Sequence, residues 1–417
     1  MAPSHPPIEE DYPYWRRNRA AMAAATFLLT TGFGCMQPFF PLALREYGVT
    51  DHLETWVGYA QGSYFTLSFF MMPLWGVVAD HYGRKPMVLR TSLGMAAVFA
   101  LLPLMPSLTW FMLLFFLMGT TNGFIPATNA LIATNTPRGS MGASLSVVQT
   151  GMLLGGSLGP VVGATIASML PGYRYLFWVS AGFILAAGLL TLIFARERHT
   201  LPDQPFRMHP LQDIAIIRRL PNIRGLMFIS FVNTFNFLGS TAIVSVFLLD
   251  MLEARGVTSG SAVDYWVGAA TLSFTISSAL AVPVWGRLMD RHGPKRILAV
   301  TLLTGALGSL ATVAAQSPWQ LVASRAVLGL CAIGIAPAAL TMTRILAPAG
   351  MEARVLSYFA AFGALGIGMG PFIAGQIGPL VGLRAFFAFN SLLLLAGFAV
   401  WVRAILQGAA AHPEAQE

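Results

Sequence analysis

The sequence predicts an all-α integral membrane protein whose twelve transmembrane helices form two pseudo-symmetric six-helix bundles. Three observations predict it: a scarcity of charge, a series of long apolar runs, and residue words that recur at a constant offset. Of the 417 residues, 56% are hydrophobic and only 10% charged, whereas an ordinary soluble domain carries about 25% charged residues. That leaves too little polar surface for water. A helix needs about 20 mostly apolar residues to cross the hydrocarbon core, where only helices or closed barrels satisfy their own backbone. Runs such as Met87 to Trp110 and Ser180 to Phe194 select helices, because barrel strands alternate apolar and polar residues.

Taken in order, the spans read as 20–44, 55–79, 86–105, 108–134, 142–169 and 175–195, then 223–249, 264–288, 296–315, 318–343, 353–380 and 383–406. Residues 1–19 are polar and end in Trp15-Arg16-Arg17-Asn18-Arg19, which reads as a cytoplasmic N-terminal tail without a cleavable leader. Residues 20–195 form a first six-helix half and 223–406 a second. Between them, 196–222 reads as an Arg- and Pro-rich cytoplasmic linker with a surface helix at 211–220, and 407–417 as a cytoplasmic C-terminal tail. Basic residues set the orientation. With both termini inside, only Arg45, Arg174, Arg255 and Arg384 fall outside, and Arg325 is the one charge left within a span. The net charge of +8 is thus spread over short loops and forms no basic stripe for nucleic acid. Cys35 and Cys331 both lie in apolar spans, so neither a disulfide framework nor a metal site is expected.

The repeat turns hydropathy into a residue-by-residue comparison. Pro73, Trp75, Gly76, Asp80 and Gly83 recur 210 positions later as Pro283, Trp285, Gly286, Asp290 and Gly293. Trp56-Val57-Gly58 recurs as Trp266-Val267-Gly268 and Gly119 as Gly329 at the same offset, while Gly159-Pro160 recurs as Gly370-Pro371 at 211. Six helices per copy is an even number, so both copies enter from the same side and are related by an axis along the membrane normal.

Three local patterns stand out on this frame. Gly76 to Lys85 links the second and third spans: Gly76 permits close helix contact, Asp80 at a helix end can accept from amides or pair with Arg84, and Gly83 allows a tight turn before Lys85. Its second copy holds Gly286, Asp290 and Gly293 but has Pro294 in place of Arg84. In the fifth span, Gly151, Gly155, Gly159, Pro160 and Gly163 line one helix face, and Gly366, Gly370-Pro371 and Gly375 echo them in the eleventh. In the tenth, Arg325 precedes Gly329, whereas the fourth has Phe115 at the matching place.

These patterns resemble the major facilitator superfamily. The first is similar to its G-x-x-x-D-x-x-G-R-[KR] signature. The fifth-span glycines resemble the G-x-x-x-G-P-x-x-G-G element of the twelve-helix drug/proton antiporter branch, with Ala164 replacing the last glycine. Pro126 to Thr134, with Gln37-Pro38-Phe-Phe-Pro41, is similar to the MdtG-type multidrug exporters, which carry an arginine at the position of Phe115. The resemblance implies a latch between halves at the first signature, and helices 1, 4, 7 and 10 around a central cavity.

Polar residues inside spans then become cavity candidates: Gln37, Gln61, Asn122, Asn129, Gln149, Asn233 and Asn236, with Phe33, Phe39, Phe235 and Phe237 as apolar lining. Amides and rings with few charges suit amphiphilic neutral or cationic molecules. Arg325 is read either as a cavity charge or as a structural donor to backbone carbonyls. All 17 acidic residues fall in loops or at span ends, so proton coupling would run through Asp80 or through Glu54 and its repeat partner Asp264.

The expected activity is export of amphiphilic small molecules by alternating access in exchange for protons, without cofactor or metal. The expected protein is not an enzyme; it acts as a lipid-embedded monomer in a bacterial cytoplasmic membrane. An uptake carrier or symporter for a nutrient on the same fold is the alternative.

Overall fold

The computed structural model describes residues 14–137, 140–169, 171–197, 221–257, 261–347 and 352–411. The tail ends, most of the expected linker and its helix at 211–220 lie outside them. Among the described residues, twelve long helices follow one another: α1 Trp15–Glu46, α2 Leu53–Tyr82, α3 Arg84–Leu104, α4 Leu108–Thr134, α5 Met141–Ala167, α6 Tyr173–Phe194, α7 Pro221–Glu253, α8 Ser261–His292, α9 Pro294–Val313, α10 Pro318–Leu346, α11 Glu352–Val381 and α12 Leu383–Ala411. Eleven are both long and apolar enough to cross a membrane. The other, α2, has 30 residues, about 45 Å of helix. Each expected span coincides with one of these helices. Large apolar side chains such as Phe70, Trp110, Ile193, Leu280, Trp319 and Leu392 stand exposed along them, as lipid-facing surfaces require.

Contacts group the chain into two compact units, Met1–Gly48 with Thr66–Pro205, and Val49–Phe65 with Phe206–Glu417. Within the first, α5 lies along α1 because its glycines leave no side chain between the backbones. A Cβ at Gly159 would sit 2.7 Å from the Thr31 carbonyl oxygen, and one at Gly151, Gly155 or Gly163 would run into the α1 backbone at Ala23, Phe27 or Cys35. Thr30 Oγ1 bridges the seam by donating to the Met152 carbonyl at 3.2 Å. The second unit repeats this between α7 and α11. Gly366 and Gly370 rest on the backbone at Phe231 and Phe235, and Thr234 Oγ1 donates to the Gly363 carbonyl at 2.7 Å. Lipid tails offer helices no hydrophobic contrast, so close backbone approach and interhelical hydrogen bonds supply the cohesion. The expected glycine seam is therefore an α1–α5 and α7–α11 contact.

The N-terminal end of α2 belongs by its contacts to the second unit, although the repeat places it in the first half. Gly58 and Gly62 lie against Pro371, Phe372 and Gly375 of α11, and Thr55 Oγ1 donates to the Gly375 carbonyl at 2.9 Å.

Candidate functional site

The repeat extends to hydrogen bonds. Ser68 Oγ on α2 donates to the Gly119 carbonyl on α4 at 3.1 Å, and Ser278 Oγ on α8 donates to the Gly329 carbonyl on α10 at 3.3 Å. Both pairs sit just before a break. In α4 the helix tightens to a 3-10 turn at Met118–Thr121 and stops at Gly123, whose φ of 121° only glycine adopts freely. In α10 it is interrupted between Ala332 and Ile335. Both breaks expose backbone carbonyls that need donors.

The two units supply those donors differently. Arg90 of α3 reaches the α4 break, where Nη1 donates to the Thr120 carbonyl at 2.7 Å and Nη2 to the Asn122 carbonyl at 3.2 Å. Its guanidinium lies 3.6 Å from the centre of the Trp75 ring, a cation–π contact. At α10 the repeat partner of that tryptophan, Trp285, donates Nε1 directly to the Leu330 carbonyl at 2.7 Å. Arg325 is thus not the only cation embedded in a span. Arg90 falls inside the expected third span, and treating it as loop charge hid a role that its position advertised.

Phe115 and Arg325 now separate the units chemically. Phe115 is buried in a cluster of rings, 4.9 Å from Phe40 and 6.2 Å from Phe111, with Phe99 and Phe177 beyond. The matching region of the second unit is open. A cavity of about 210 Å³ is lined by Asn233, Asn236 and Ser240 from α7, Phe274 from α8, and Arg325 and Leu328 from α10, among others. Arg325 is 2% exposed, so it is held inside the second unit. Its guanidinium lies 4.7 Å from the Phe274 ring centre, and Nε and Nη1 have no hydrogen-bond partner. The alternative of a structural bond from these two nitrogens to backbone carbonyls is therefore not met. Holding an arginine inside a span costs about 2.5–3.5 kcal/mol on insertion scales, so an unmatched one points to a task. Ser240 Oγ donates to Asn236 Oδ1 at 3.3 Å and accepts from Asn390 Nδ2 at 3.0 Å, while Asn236 Nδ2 is left unmatched.

Of the other expected cavity residues, Phe235 differs: it is 1% exposed and packed against Phe386 and Phe389, so it belongs to the core of the second unit. Phe237, the other expected ring of α7, lines the cavity. In the first unit, Asn122 caps the α4 break, its Oδ1 accepting from the Gly123 amide at 2.8 Å. Asn129 has a buried Oδ1 with no partner, and Phe33 packs 6.3 Å from Phe99. Gln37 opens the 3-10 turn Gln37–Phe39 in α1, and Gln149 is half-buried on α5.

The signature after α2 is anchored within the first unit. Gly83 has a φ of 97°, and the carboxylate of Glu197 accepts from the Arg84 amide at 2.6 Å and the Lys85 amide at 2.8 Å. An anion at a helix start meets both free N–H groups and the helix dipole. Lys85 Nζ donates in return to the Leu192 and Ala195 carbonyls at the end of α6, at 3.0 and 2.7 Å. Glu197, assigned from sequence to the linker, is thus part of the signature's support. The surroundings of Gly76 and the side chain of Asp80 lie outside what the structure describes. In the second copy, Gly286 and Gly293 have open space around them and Asp290 is exposed. Of the two repeat-paired acids, Glu54 is in the first turn of α2, with Oε1 4.0 Å from His52 Nδ1, and Asp264 is buried in the first turn of α8.

Twelve helices in two repeated units, with paired breaks in α4 and α10 and a cavity that sets a few polar groups among apolar walls, define a membrane transport protein. Comparison makes this specific: the profile of the Major Facilitator Superfamily matches residues 22–263 and 229–416, and the chain belongs to that superfamily. It is 33% identical over 398 residues to the multidrug resistance protein MdtG of Citrobacter koseri, covering 95% of each chain. Its identity to MdtG of Salmonella arizonae is also 33%, over 95% of this chain and 96% of the relative. Among solved structures, a mutant form of the nucleoside transporter NupG shares the fold with a TM-score of 0.79 at 12% identity, covering 93% of this chain and 99% of that one. The chain is a multi-pass transporter and not an enzyme.

Proposed function

We propose that this protein is a secondary active exporter of amphiphilic small molecules, working by alternating access in exchange for protons. The observation that carries the reading is the cavity of the second unit, where amide, hydroxyl and guanidinium groups face aromatic and aliphatic walls. Such a lining suits ligands with one polar end and an apolar body. The MdtG relatives, named for multidrug resistance, support export. Proton exchange is proposed through Glu54, Asp264 or Asp80, since the spans carry no acid or histidine deeper inside. The protein would act as a monomer in the bacterial cytoplasmic membrane with both termini inside, and would need no cofactor.

The test compares inverted and right-side-out vesicles made from cells producing the protein. Uptake of amphiphilic probes into inverted vesicles, driven by an acid interior and stopped by a protonophore, is expected. Accumulation only in right-side-out vesicles would replace the exporter with an uptake carrier.

A further inference from the structure

Resting on the export reading, the unmatched donors of the second unit define its cargo more narrowly. We infer that the cavity recognises an anionic headgroup, a carboxylate or a similar oxyanion, carried on a compact aromatic or aliphatic body.

Three observations converge. Arg325 is 98% withdrawn from solvent, lines the cavity, and leaves Nε and Nη1 without partners. Asn236, also buried and in the lining, leaves both Nδ2 protons unused. No acidic residue is among the described lining residues. Buried donors are ordinarily satisfied, and hydrogen bonds from a guanidinium to an oxyanion are charge-assisted and about twice as strong as neutral ones. A cation entering here would meet the Arg325 charge with nothing to offset it. This reverses the preference for neutral or cationic molecules that the amide-rich sequence suggested, because that preference overlooked which hydrogen-bonding groups remain free. Phe237, Phe274 and Leu328 supply the apolar wall beside the donors. The volume of about 210 Å³ favours a single ring system over a large multi-ring drug.

Purified full-length protein in phosphatidylcholine nanodiscs, titrated calorimetrically with three probes of one shape, tests this: 1-naphthylacetate, 1-naphthylacetamide and 1-naphthylmethylammonium. The carboxylate is expected to bind at least tenfold more tightly than the ammonium, with the amide between. Arg325→Gln should lose at least tenfold for the carboxylate and narrow the gap between the three, Arg325→Lys should keep part of it, and Asn236→Leu should weaken the carboxylate several-fold. Equal affinities in the native protein, or an unchanged carboxylate affinity in Arg325→Gln, would overturn the inference. The native ligand series decides the matter even if a variant fails to fold. Repeating the titration in phosphatidylglycerol nanodiscs separates cargo from lipid: retained binding supports a soluble ligand, and its loss would assign the donors to a lipid headgroup and overturn the cargo assignment. Binding is read without transport, so a carboxylate that binds to a protein failing every export assay would sink the export reading and leave the site standing.

Discussion

Arg90 leaves only Nε unmatched and spends both terminal nitrogens on the carbonyls of the α4 break, while Arg325 leaves Nε and Nη1 unmatched and lines a cavity. The first is therefore structural and the second is available. A buried acceptor left without its donor costs about 1–3 kcal/mol. Arg90→Met, which keeps the length but removes the donors, should lower the thermal midpoint of the purified protein by several degrees. Arg90→Lys should recover part of the loss, because one ammonium can reach one carbonyl but cannot bridge two. An unchanged midpoint in Arg90→Met, measured by following unfolding in detergent, would remove the capping role. Arg325 was legible in the sequence as an anomaly, but its task was not. Whether a charge finds a partner depends on what α7 and α8 place against it, and spacing along α10 contains no such information.

At the scale of elements, the α1–α5 seam makes adjacent glycines unequal. Gly155 faces the Phe27 carbonyl and Thr30 with no room for a side chain, whereas a Cβ at the next residue, Gly156, would meet nothing within 4 Å. Overpacking a tight contact costs about 1–3 kcal/mol, more where the obstacle is backbone. Gly155→Leu should therefore sharply reduce the yield of monodisperse protein in size-exclusion chromatography, and Gly156→Leu should behave nearly as the native chain. Similar profiles for the two would show that the seam is looser than the structure has it. The four-residue spacing of Gly151, Gly155, Gly159 and Gly163 made the face readable from sequence, because helical periodicity depends only on position. Its partner helix was not readable. Nor was the tie between Glu197 and the Arg84 and Lys85 amides, since that joins residues more than a hundred positions apart.

Across the whole molecule, the constant offset held down to the Ser68–Gly119 and Ser278–Gly329 hydrogen bonds, so the duplicated scaffold was largely legible. What the repeat could not foretell is where the copies diverge: rings around Phe115 fill what stays open beside Arg325. This asymmetry bears on coupling. With the polar cavity lying in the second unit and acids confined to helix ends and loops, proton binding and cargo binding would occupy different places and communicate through helix movement. Glu54 and Asp264 are repeat partners in the first turns of α2 and α8, and the Glu54 side chain lies against Gly378 of α11. An amide mimics a protonated carboxyl but cannot release a proton. The double variant Glu54→Gln, Asp264→Asn should therefore bind the naphthyl probe with native affinity in nanodiscs. In proteoliposomes it should let the probe equilibrate without accumulating it when a pH gradient is imposed. Gradient-driven accumulation at the native rate would exclude this pair of acids and leave Asp80 as the remaining candidate for the coupling group.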